Sequence, residues 1–526
     1  MKKQISFILI MSLLLLTFGS CRKYLEVNQN PNIAQNATPE LLLPSAQVQI
    51  ASALGVDLQI NGSIWAQHWT QSTNASQYRY LEQYLPVASN YDRVWGLLYN
   101  GALADLRQLD RTAAQQNRRQ YIAISKLLQA YTFQLLTDGF GDIPFTEALR
   151  GGQDGGGITS PKFDPQAVVY DGIIALIDSG LTIIDESDPV HPGNDDIIYQ
   201  GDMHLWRKFG NTLKLRVHLR LSEVNPGKAQ AGIAQLEGAE FIEEGESAQV
   251  NFISTPGNQN PLYSEISGLN FTQNLVASAT STDTMKANDD WRRFIFYTLV
   301  GGDVVGLRQG NFTATSAGSL SAPSAAVGAQ AANEESATAP VKLLSSYESY
   351  FLQAEAVARN WLTGDDRALF ERGIYASFRE YEGIIESFEY VLRDSLNGEE
   401  DIFIMSTDYA AYRYINGDTI TGTVFGDTVI QSPPSYWGQY PEGGSLEQKL
   451  EHIITQKWFS MNGNQGFEAW TEWRRTGFPR FFQVSANSQI GSTMPVRFLY
   501  PNTEATRNLN FPGQTSITTK VWWDTQ

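Results

Sequence analysis

The chain has little cysteine, histidine or positive charge. Its 526 residues include one cysteine, Cys21, and five histidines, none of which lies three or four positions from another. A single cysteine excludes an internal disulfide, a cysteine-based zinc site and an iron–sulfur cluster. Without a histidine pair we expect no transition-metal site and no metal cofactor, although the sequence leaves an oxygen-ligated calcium ion open.

Basic residues are outnumbered, with 38 Lys and Arg against 56 Asp and Glu and a formal net charge of −18 at pH 7. Such a charge repels phosphate backbones, so we expect no nucleic-acid partner. Charged residues make up 18% of the chain and hydrophobic residues 42%, a composition that favours a large folded core over global disorder. Aromatic residues are abundant, at 12%.

Motifs of common enzyme classes are missing. The sequence has no GxxxxGK[ST] phosphate loop, no GxSxG elbow and no HExxH zinc helix. Acid pairs such as Asp195-Asp196 and Asp289-Asp290 do occur. Glycosidases, however, need two carboxylates at a defined separation in space, which adjacency in sequence does not provide. We therefore predict no catalytic residues and interpret these acids as solvated surface groups.

The N-terminus has the pattern of a bacterial lipoprotein leader. Two lysines precede an apolar run from Ile5 to Leu16, which is too short for a membrane-spanning helix. Phe18-Gly19-Ser20-Cys21 resembles a lipobox, in which the cysteine is acylated and becomes the mature N-terminus. We predict a signal peptide over residues 1–20, lipidation at Cys21 and a polar tether over residues 21–38. An ordinary signal peptide with a chance cysteine is the alternative.

Helical periodicity dominates the rest of the chain, because apolar residues recur every three or four positions. The first helix is predicted to begin at Thr38-Pro39-Glu40. Consecutive amphipathic helices favour a mainly α fold of stacked tetratricopeptide-like helix pairs. Further helices are predicted over residues 91–109, 119–136, 164–183, 204–223, 345–361, 365–381, 445–461 and 467–475.

Strand signals are sparse. A hairpin is predicted around Gly426-Asp427, between Thr423–Phe425 and Thr428–Ile430. The segment from Gln309 to Pro340 is rich in Ala, Ser, Thr and Gly and is predicted to be a long surface loop. Because no clean linker is visible, we predict a single domain over residues 39–526. It should have long loops, a few short β-hairpins and a long loop insertion near residues 301–340.

Four stretches carry patterns that recur together in one protein family. They are Ala130 to Phe145, Tyr347 to Ala356, Ile453 through Trp470 to Gly477, and Met494 through Tyr500-Pro501 to Asn508. Together with the leader, they resemble the SusD/RagB family of nutrient-binding outer-membrane lipoproteins, in family order and over nearly the whole chain. A "DPR" element of that family stands here as Asp289-Asp290-Trp291-Arg292, and Arg22-Lys23 replaces an acidic cluster after the cysteine.

The resemblance implies a SusD-like fold without enzymatic activity. It also implies a lipid-anchored protein of the outer membrane that faces the cell exterior and passes a nutrient to a SusC-like TonB-dependent transporter. A glycan is the favoured nutrient, and a peptide is the alternative. A surface glycoside hydrolase and a protein-binding scaffold are further alternatives. We interpret the shared motifs as framework, with Gly139 and Gly141 in a turn and Arg474 and Arg475 at a helix end.

Ligand contacts are expected in aromatic-rich loops outside this framework. Sugar rings pack on Trp and Tyr, while amide and guanidinium groups bond their hydroxyls, and peptides could use the same groups. The two densest segments are residues 65–95 and residues 433–441, where prolines and a glycine prevent regular structure. Trp65 and Trp95 are expected in the core. The predicted ligand contacts are Trp69, Asn74, Tyr78, Arg79, Tyr80, Tyr436, Trp437 and Tyr440.

Overall fold

The computed structural model describes residues 37–526, apart from residues 153–154, 316–317, 383, 385–388, 394–399, 405, 421–429 and 433. The predicted signal peptide, the lipidation site Cys21 and all but the last two residues of the tether lie outside the described residues. So do both strands of the predicted hairpin except Ile430, which begins a strand.

Helices account for about half of the described residues and strands are few and short, which confirms the predicted mainly α fold. The helices of the first part are α1 (Pro39–Ala53), α2 (Gln59–Trp65), α3 (Arg79–Glu82), α4 (Asp92–Gly96), α5 (Ala104–Gln115), α6 (Arg119–Phe140), α7 (Gln166–Ile183), α8 (Met203–Arg220) and α9 (Pro226–Ala234). Those of the second part are α10 (Pro261–Gly268), α11 (Ala279–Ala287), α12 (Arg293–Phe296), α13 (Ser346–Ala358), α14 (Asp366–Arg379), α15 (Thr407–Asn416), α16 (Leu446–Ser460), α17 (Gly466–Thr476) and α18 (Asn502–Arg507). Two π-helical segments, Leu54–Leu58 and Leu97–Leu103, join α1 to α2 and α4 to α5.

Local sequence signals explain where several helices begin and end. Thr38 precedes α1 in an extended conformation with Pro39 at the first helical position, although its hydroxyl makes no capping hydrogen bond. The Ser445 side chain accepts a hydrogen bond from the Gln448 backbone N–H, and the Gln448 side chain reaches back, which forms a capping box at the start of α16. Gly141, with φ of 81°, ends α6 and begins the predicted turn, but Gly139 lies inside the helix, so its expected place in that turn is wrong.

The helices pack as neighbouring pairs, as expected for a tetratricopeptide-like scaffold. α6 packs on α7, α8 on α9, and α13 on α14, while α16 and α17 close the set by packing on α13 and α2. By length and hydropathy alone, residues 39–65 and 166–183 could span a bilayer. Both, however, pack against other helices of the fold, as core helices of a globular domain do.

Strands are short and occur in four two-stranded antiparallel pairs within the described residues. β1 (Trp69–Gln71) pairs with β3 (Leu275–Ala277), and β2 (Ala248–Val250) pairs with β4 (Val341–Leu344). β5 (Glu389–Arg393) pairs with β6 (Glu400–Ile404), and β7 (Asp418–Ile420) pairs with β8 (Ile430–Ser432). Residues 421–429, between the strands of the last pair, include the turn predicted around Gly426-Asp427 and lie outside the described residues.

The segment from Gln309 to Pro340 is irregular, as predicted, but the expectation of a surface loop is wrong for much of it. Its small side chains let the backbone lie inside the fold, where Val327 and Ala337 are buried. The Asn260 backbone N–H donates to the Ala337 carbonyl at 2.8 Å, and the Asn260 amide donates to the Ala339 carbonyl at 2.8 Å. Interior hydrogen bonds of this kind make a buried irregular backbone affordable.

The interior also contains a network of charged side chains drawn from the shared motifs. Arg475 of α17 pairs with Glu355 of α13 at 2.6 Å and with Glu472 at 2.5 Å. Arg220 of α8 pairs with Glu472 and with Glu468, the latter at 2.5 Å. Burial alone raises the pKa of the Glu472 carboxyl, but the surrounding cations outweigh it and hold the pKa well below its ordinary value.

A buried lysine joins this network to the adjoining helices. Lys457 Nζ lies 3.6 Å from carboxylate oxygens of both Glu348 and Glu468 and 3.7 Å from one of Glu472. Removing one member would leave an unpaired buried charge, which is why such networks hold helices in one arrangement. The shared motifs are therefore interior framework, in agreement with the interpretation from the sequence.

Candidate ligand-binding site

The aromatic segment from Trp65 to Trp95 belongs largely to the core. Trp65 packs on Trp470 with ring centroids 4.9 Å apart, and its Nε1 donates to the Leu81 carbonyl at 3.0 Å. Trp95 Nε1 donates to Glu504 Oε1 at 3.1 Å. Both tryptophans are buried, as predicted.

Two of the ligand contacts predicted in this segment are wrong. Trp69 lies on β1 opposite Ala277 of β3, and its side chain is fully buried. Tyr78 is only 5% exposed, and its backbone N–H donates to Gln71 Oε1 at 2.7 Å. Each large ring removes substantial apolar area from water when it is buried, so the fold gains more by packing these rings than by exposing them. Neither ring can present a face to a ligand.

The other three predicted contacts of this segment keep some exposure. Asn74 is exposed, and Arg79 and Tyr80 are half-buried. The Arg79 guanidinium lies over the Phe312 ring at 5.2 Å, and burial raises the pKa of Tyr80 to about 12. The segment therefore offers polar groups beside one partly covered ring. A role for these three residues in ligand binding stays a prediction.

Residues 434–441, here called the aromatic loop, carry the second set of predicted contacts. Ser435 donates its backbone N–H to the Tyr414 carbonyl at 2.9 Å, which ties the loop to the end of α15. Gly438 fits this position because a Cβ atom would lie 2.6 Å from the same Tyr414 carbonyl oxygen. These backbone contacts fix the first part of the loop to the helical scaffold.

Tyr436 and Trp437 form an exposed aromatic pair on this loop. Their ring centroids are 4.8 Å apart with an interplanar angle of 76°, and each centroid lies 5.0 Å from the His452 ring of α16. Gln456 donates its amide to the Trp437 carbonyl at 2.9 Å. Tyr436 is 65% exposed and Trp437 is half-buried. The buried partners hold the pair in place while Tyr436 remains open to solvent.

Tyr440 anchors the far end of the aromatic loop. Its hydroxyl donates to Asp366 Oδ2 at 2.5 Å, and its ring packs 5.3 Å from that of Phe370. Burial and the neighbouring Asp366 carboxylate raise the pKa of Tyr440, so the hydroxyl stays protonated at neutral pH. Because that hydroxyl is already engaged, Tyr440 can offer a ligand its ring but not its proton.

A cavity of about 270 Å³ opens beside the loop. Part of the cavity lining comes from α16 and was not predicted from the sequence. The sequence does contain a signal for these residues, because Gln448, Glu451 and His452 lie three and four positions apart on a predicted helix and therefore share a face. The lining consists of Tyr436, Gln439, Tyr440 and Pro441 from the loop and Gln448, Glu451 and His452 from α16.

His452 presents a neutral imidazole to this cavity. Its Nδ1 lies 2.8 Å from the Gln439 carbonyl oxygen, which can only accept, so Nδ1 carries the proton. Burial lowers the pKa of His452 and keeps the ring neutral at physiological pH, with Nε2 as the acceptor nitrogen. Among the described lining residues, Glu451 is the one carboxylate. The cavity thus combines aromatic rings with mostly neutral hydrogen-bonding groups.

The acid pairs noted in the sequence have structural roles. Asp196 accepts hydrogen bonds from Trp206 Nε1 and Gln47 Nε2, each at 2.7 Å, and Asp290 pairs with Arg292 at 2.6 Å. Both carboxylates are fully buried, so the expectation of solvated surface groups is wrong for them; satisfied hydrogen bonds make their burial tolerable. Within the described part of the chain, no group of three or more His, Cys, Asp or Glu residues could hold a metal ion.

Comparison with known families identifies the fold. A family model named SusD-like, described as "Starch-binding associating with outer membrane", matches residues 31–501. The chain belongs to this SusD-like family. The resemblance inferred from its motifs is thereby confirmed.

Solved structures of SusD homologues share the fold of this SusD-like chain. A chitin-binding protein superimposes with a TM-score of 0.71 at 22% identity, covering 93% of this chain and 100% of that protein. A chitin-binding SusD homologue from Flavobacterium johnsoniae gives 0.69 at 21% identity, covering 92% and 97%. A SusD homologue from Bacteroides fragilis gives 0.68 at 21% identity, covering 93% and 100%. The comparison with curated proteins finds no match.

Proposed function

We propose that this SusD-like chain binds a glycan at the aromatic loop. The observation that carries the proposal is the Tyr436–Trp437 pair, in which Tyr436 is mostly exposed and Trp437 half-buried, beside a cavity lined by amides, a neutral imidazole and one carboxylate. The apolar face of a sugar ring can pack on such rings while its hydroxyls exchange hydrogen bonds with Gln439, Gln448 and His452. The starch-binding description of the family and the chitin-binding names of two structural neighbours support a glycan over a peptide.

The same site supports binding without catalysis. Hydrolysis of a glycosidic bond by the common mechanism needs two carboxylates on opposite sides of that bond. Among the described residues that line the cavity, Glu451 alone supplies one. A carrier instead needs to hold the ground state of its ligand and release it unchanged, which rings and neutral polar groups achieve.

The proposed cellular role is that of an outer-membrane lipoprotein, anchored through Cys21 and facing the cell exterior, that delivers glycan to a SusC-like TonB-dependent transporter. The family description associates such proteins with the outer membrane, and the leader pattern supports the anchor. Cys21→Ala should move the protein out of the membrane fraction, because acyl chains supply stable attachment. When the protein is purified from membranes in mild detergent, a TonB-dependent barrel should co-purify with it. Isolation of the chain alone under these conditions would contradict the partnership.

Isothermal titration calorimetry with a panel of glycans and peptides tests the binding site. We expect a glycan to bind the wild-type chain and Trp437→Ala to weaken that glycan by about tenfold or more, as loss of an aromatic anchor does at other binding sites. Trp522→Ala is a matched control, because Trp522 is also partly exposed but is not part of the aromatic loop, whereas Trp437 packs against Tyr436 and His452 of the cavity lining. Binding of peptides alone, or equal affinity in both variants, would overturn the assignment.

A further inference from the structure

A second cavity lies next to the one at the aromatic loop. Its volume is about 480 Å³. Leu446, Leu450 and Phe478 give it an apolar surface, and Thr476 and Gln526 add a hydroxyl and an amide. Leu446 is 42% exposed, whereas Leu450 and Phe478 are buried, so Leu446 provides the accessible part of this apolar surface. The second cavity offers apolar contact and hydrogen-bonding groups, as the first one does, but more of its lining is charged, namely Glu223, Arg359, Glu447 and Arg480.

Both cavities are built on the same helix. Leu446 and Leu450 at the start of α16 line the second cavity, while Gln448 and His452 of the same turns line the first. Residues two positions apart lie on nearly opposite faces of a helix, but Glu447 of the second cavity and Glu451 of the first are four positions apart and share a face. The linings of the two cavities therefore adjoin along this face of α16. One ligand of several units could contact both.

Arg480 stands between the two cavities. It lines the second cavity, and its Nη1 lies 3.7 Å from Glu451 Oε2, which belongs to the first. Its Nη2 donates to Glu447, and its guanidinium lies 4.9 Å from the centroid of the Phe478 ring. The side chain is 56% exposed. Two carboxylates and one ring thus position an accessible guanidinium where the cavities meet.

The segment that carries Arg480 also runs along both cavities. Phe481, the next residue, lies 6.3 Å from Trp437 by ring centroids. Phe478, two residues before Arg480, lines the second cavity. The short segment from Phe478 to Phe481 therefore connects the lining of the second cavity to the Trp437 ring of the aromatic loop.

Resting on the proposed function, we propose that the ligand is an oligosaccharide chain that occupies both cavities, and that Arg480 makes the site selective for length. A guanidinium has five N–H donors and no acceptor. Held beside Glu447 and Glu451, it can donate to the hydroxyls of a central sugar unit. A monosaccharide fills the first cavity alone and gains nothing from Arg480 or from the second cavity.

The test is a titration of the wild-type chain with the members of one oligosaccharide series, from the monosaccharide to the hexasaccharide, chosen from a glycan that binds. We expect the dissociation constant to fall with length and then to level off. Arg480→Ala should weaken the long members by about tenfold and leave the shortest unchanged, because a hydrogen bond from a charged donor is lost only in the long complexes.

Three further variants keep the outcome interpretable. Leu446→Trp fills the second cavity and should also penalise only the long members. Trp437→Ala should weaken every length. Arg379→Ala is the matched control, because Arg379 is an exposed arginine with two ion pairs, to Glu244 and Asp408, outside both cavities.

Two results would overturn the inference while leaving the proposed function intact: an affinity independent of length, or long oligosaccharides that bind Arg480→Ala and Leu446→Trp as tightly as the wild type. If no glycan of any length binds the wild-type chain, the proposed function itself fails, and the two-cavity site with it. Thermal unfolding of the Arg480→Ala, Arg379→Ala and Leu446→Trp variants should match the wild type, since these side chains are exposed.

Discussion

Residues 65–95 and the aromatic loop have the same mixture of aromatic and amide side chains, yet the fold uses them in opposite ways. In the first segment Trp65, Trp69 and Trp95 are buried. In the loop, Tyr436 is mostly exposed and Trp437 half-exposed. The first segment is threaded through helices and a paired strand, whereas the loop is held to the scaffold by its backbone. Local composition therefore does not decide whether a ring binds a ligand; the surrounding elements do.

The largest expected effect is on stability, and it comes from removing a buried ring of residues 65–95. Trp69→Ala should lower the free energy of unfolding by about 3–5 kcal/mol, because it removes a fully buried ring and leaves a cavity. Tyr436→Ala should change the same quantity by less than about 1 kcal/mol, because the ring is mostly solvated. Denaturant unfolding monitored by circular dichroism measures both. Equal losses of stability would erase the distinction between the two regions.

The next effect concerns His68, which lies in the first segment. Its Nε2 is 3.0 Å from the Trp458 carbonyl oxygen, and burial lowers its pKa from the ordinary 6.5 to about 3. Below pH 6.5 the unfolded histidine takes up a proton that the folded one refuses. Its contribution to stability is therefore complete above pH 6.5 and is lost as the pH falls towards 3. By linkage, the loss at pH 5 is about 2 kcal/mol.

His68→Gln removes this titration but keeps a side-chain donor for the Trp458 carbonyl. The measured quantity is the free energy of unfolding of the wild type minus that of the variant, between pH 8 and pH 5. This difference should become smaller at low pH, because only the wild type loses the contribution of His68. The comparison with wild type is needed because Glu82 also changes the stability of the protein over this pH range, equally in both proteins. Burial raises the pKa of Glu82 to about 7, so its contribution falls as the pH rises from 4.5 to 7, opposite in sign. A constant difference across the range would contradict a neutral buried His68.

The smallest expected effect comes from a change that displaces the aromatic loop. Gly438→Ala places a Cβ atom 2.6 Å from the Tyr414 carbonyl oxygen, so the loop must shift. We expect about 1–2 kcal/mol lower stability and weaker glycan binding, because the rings are no longer held in register with His452. Gly443→Ala is the control, since its Cβ would meet no atom within 4 Å. Unchanged affinity in Gly438→Ala would show that the positioning of the loop is irrelevant to binding.

The helical framework could be predicted because it depends on patterns of residues that are close together in the sequence. The stripes of apolar residues in α6 and α16 each act within a few residues, and both helices are found where the sequence predicts them. Trp65 and Trp95 were expected in the core because they lie in helical patterns, and they are there. Trp69 was misjudged because its burial comes from pairing with Ala277, which is more than 200 residues away in the chain.

The candidate site shows the same division. Prolines and Gly438 mark the aromatic loop in the sequence, and its Tyr436 is exposed in the structure. The contribution of Gln448, Glu451 and His452 was missed because nothing local connects α16 to that loop. Only the fold, through contacts such as that between His452 and Gln439, brings the two together.

By itself, the amino-acid sequence determined the family, the helical scaffold and the absence of cysteine-based chemistry, because caps, periodicity and composition act over short stretches of chain. The tertiary structure alone decided which aromatic rings are covered, how the charged motifs neutralise one another inside the protein, and that Arg480 of one cavity lies beside Glu451 of the other. Those outcomes depend on residues far apart in the chain, and burial is a property of the neighbours that a side chain acquires on folding.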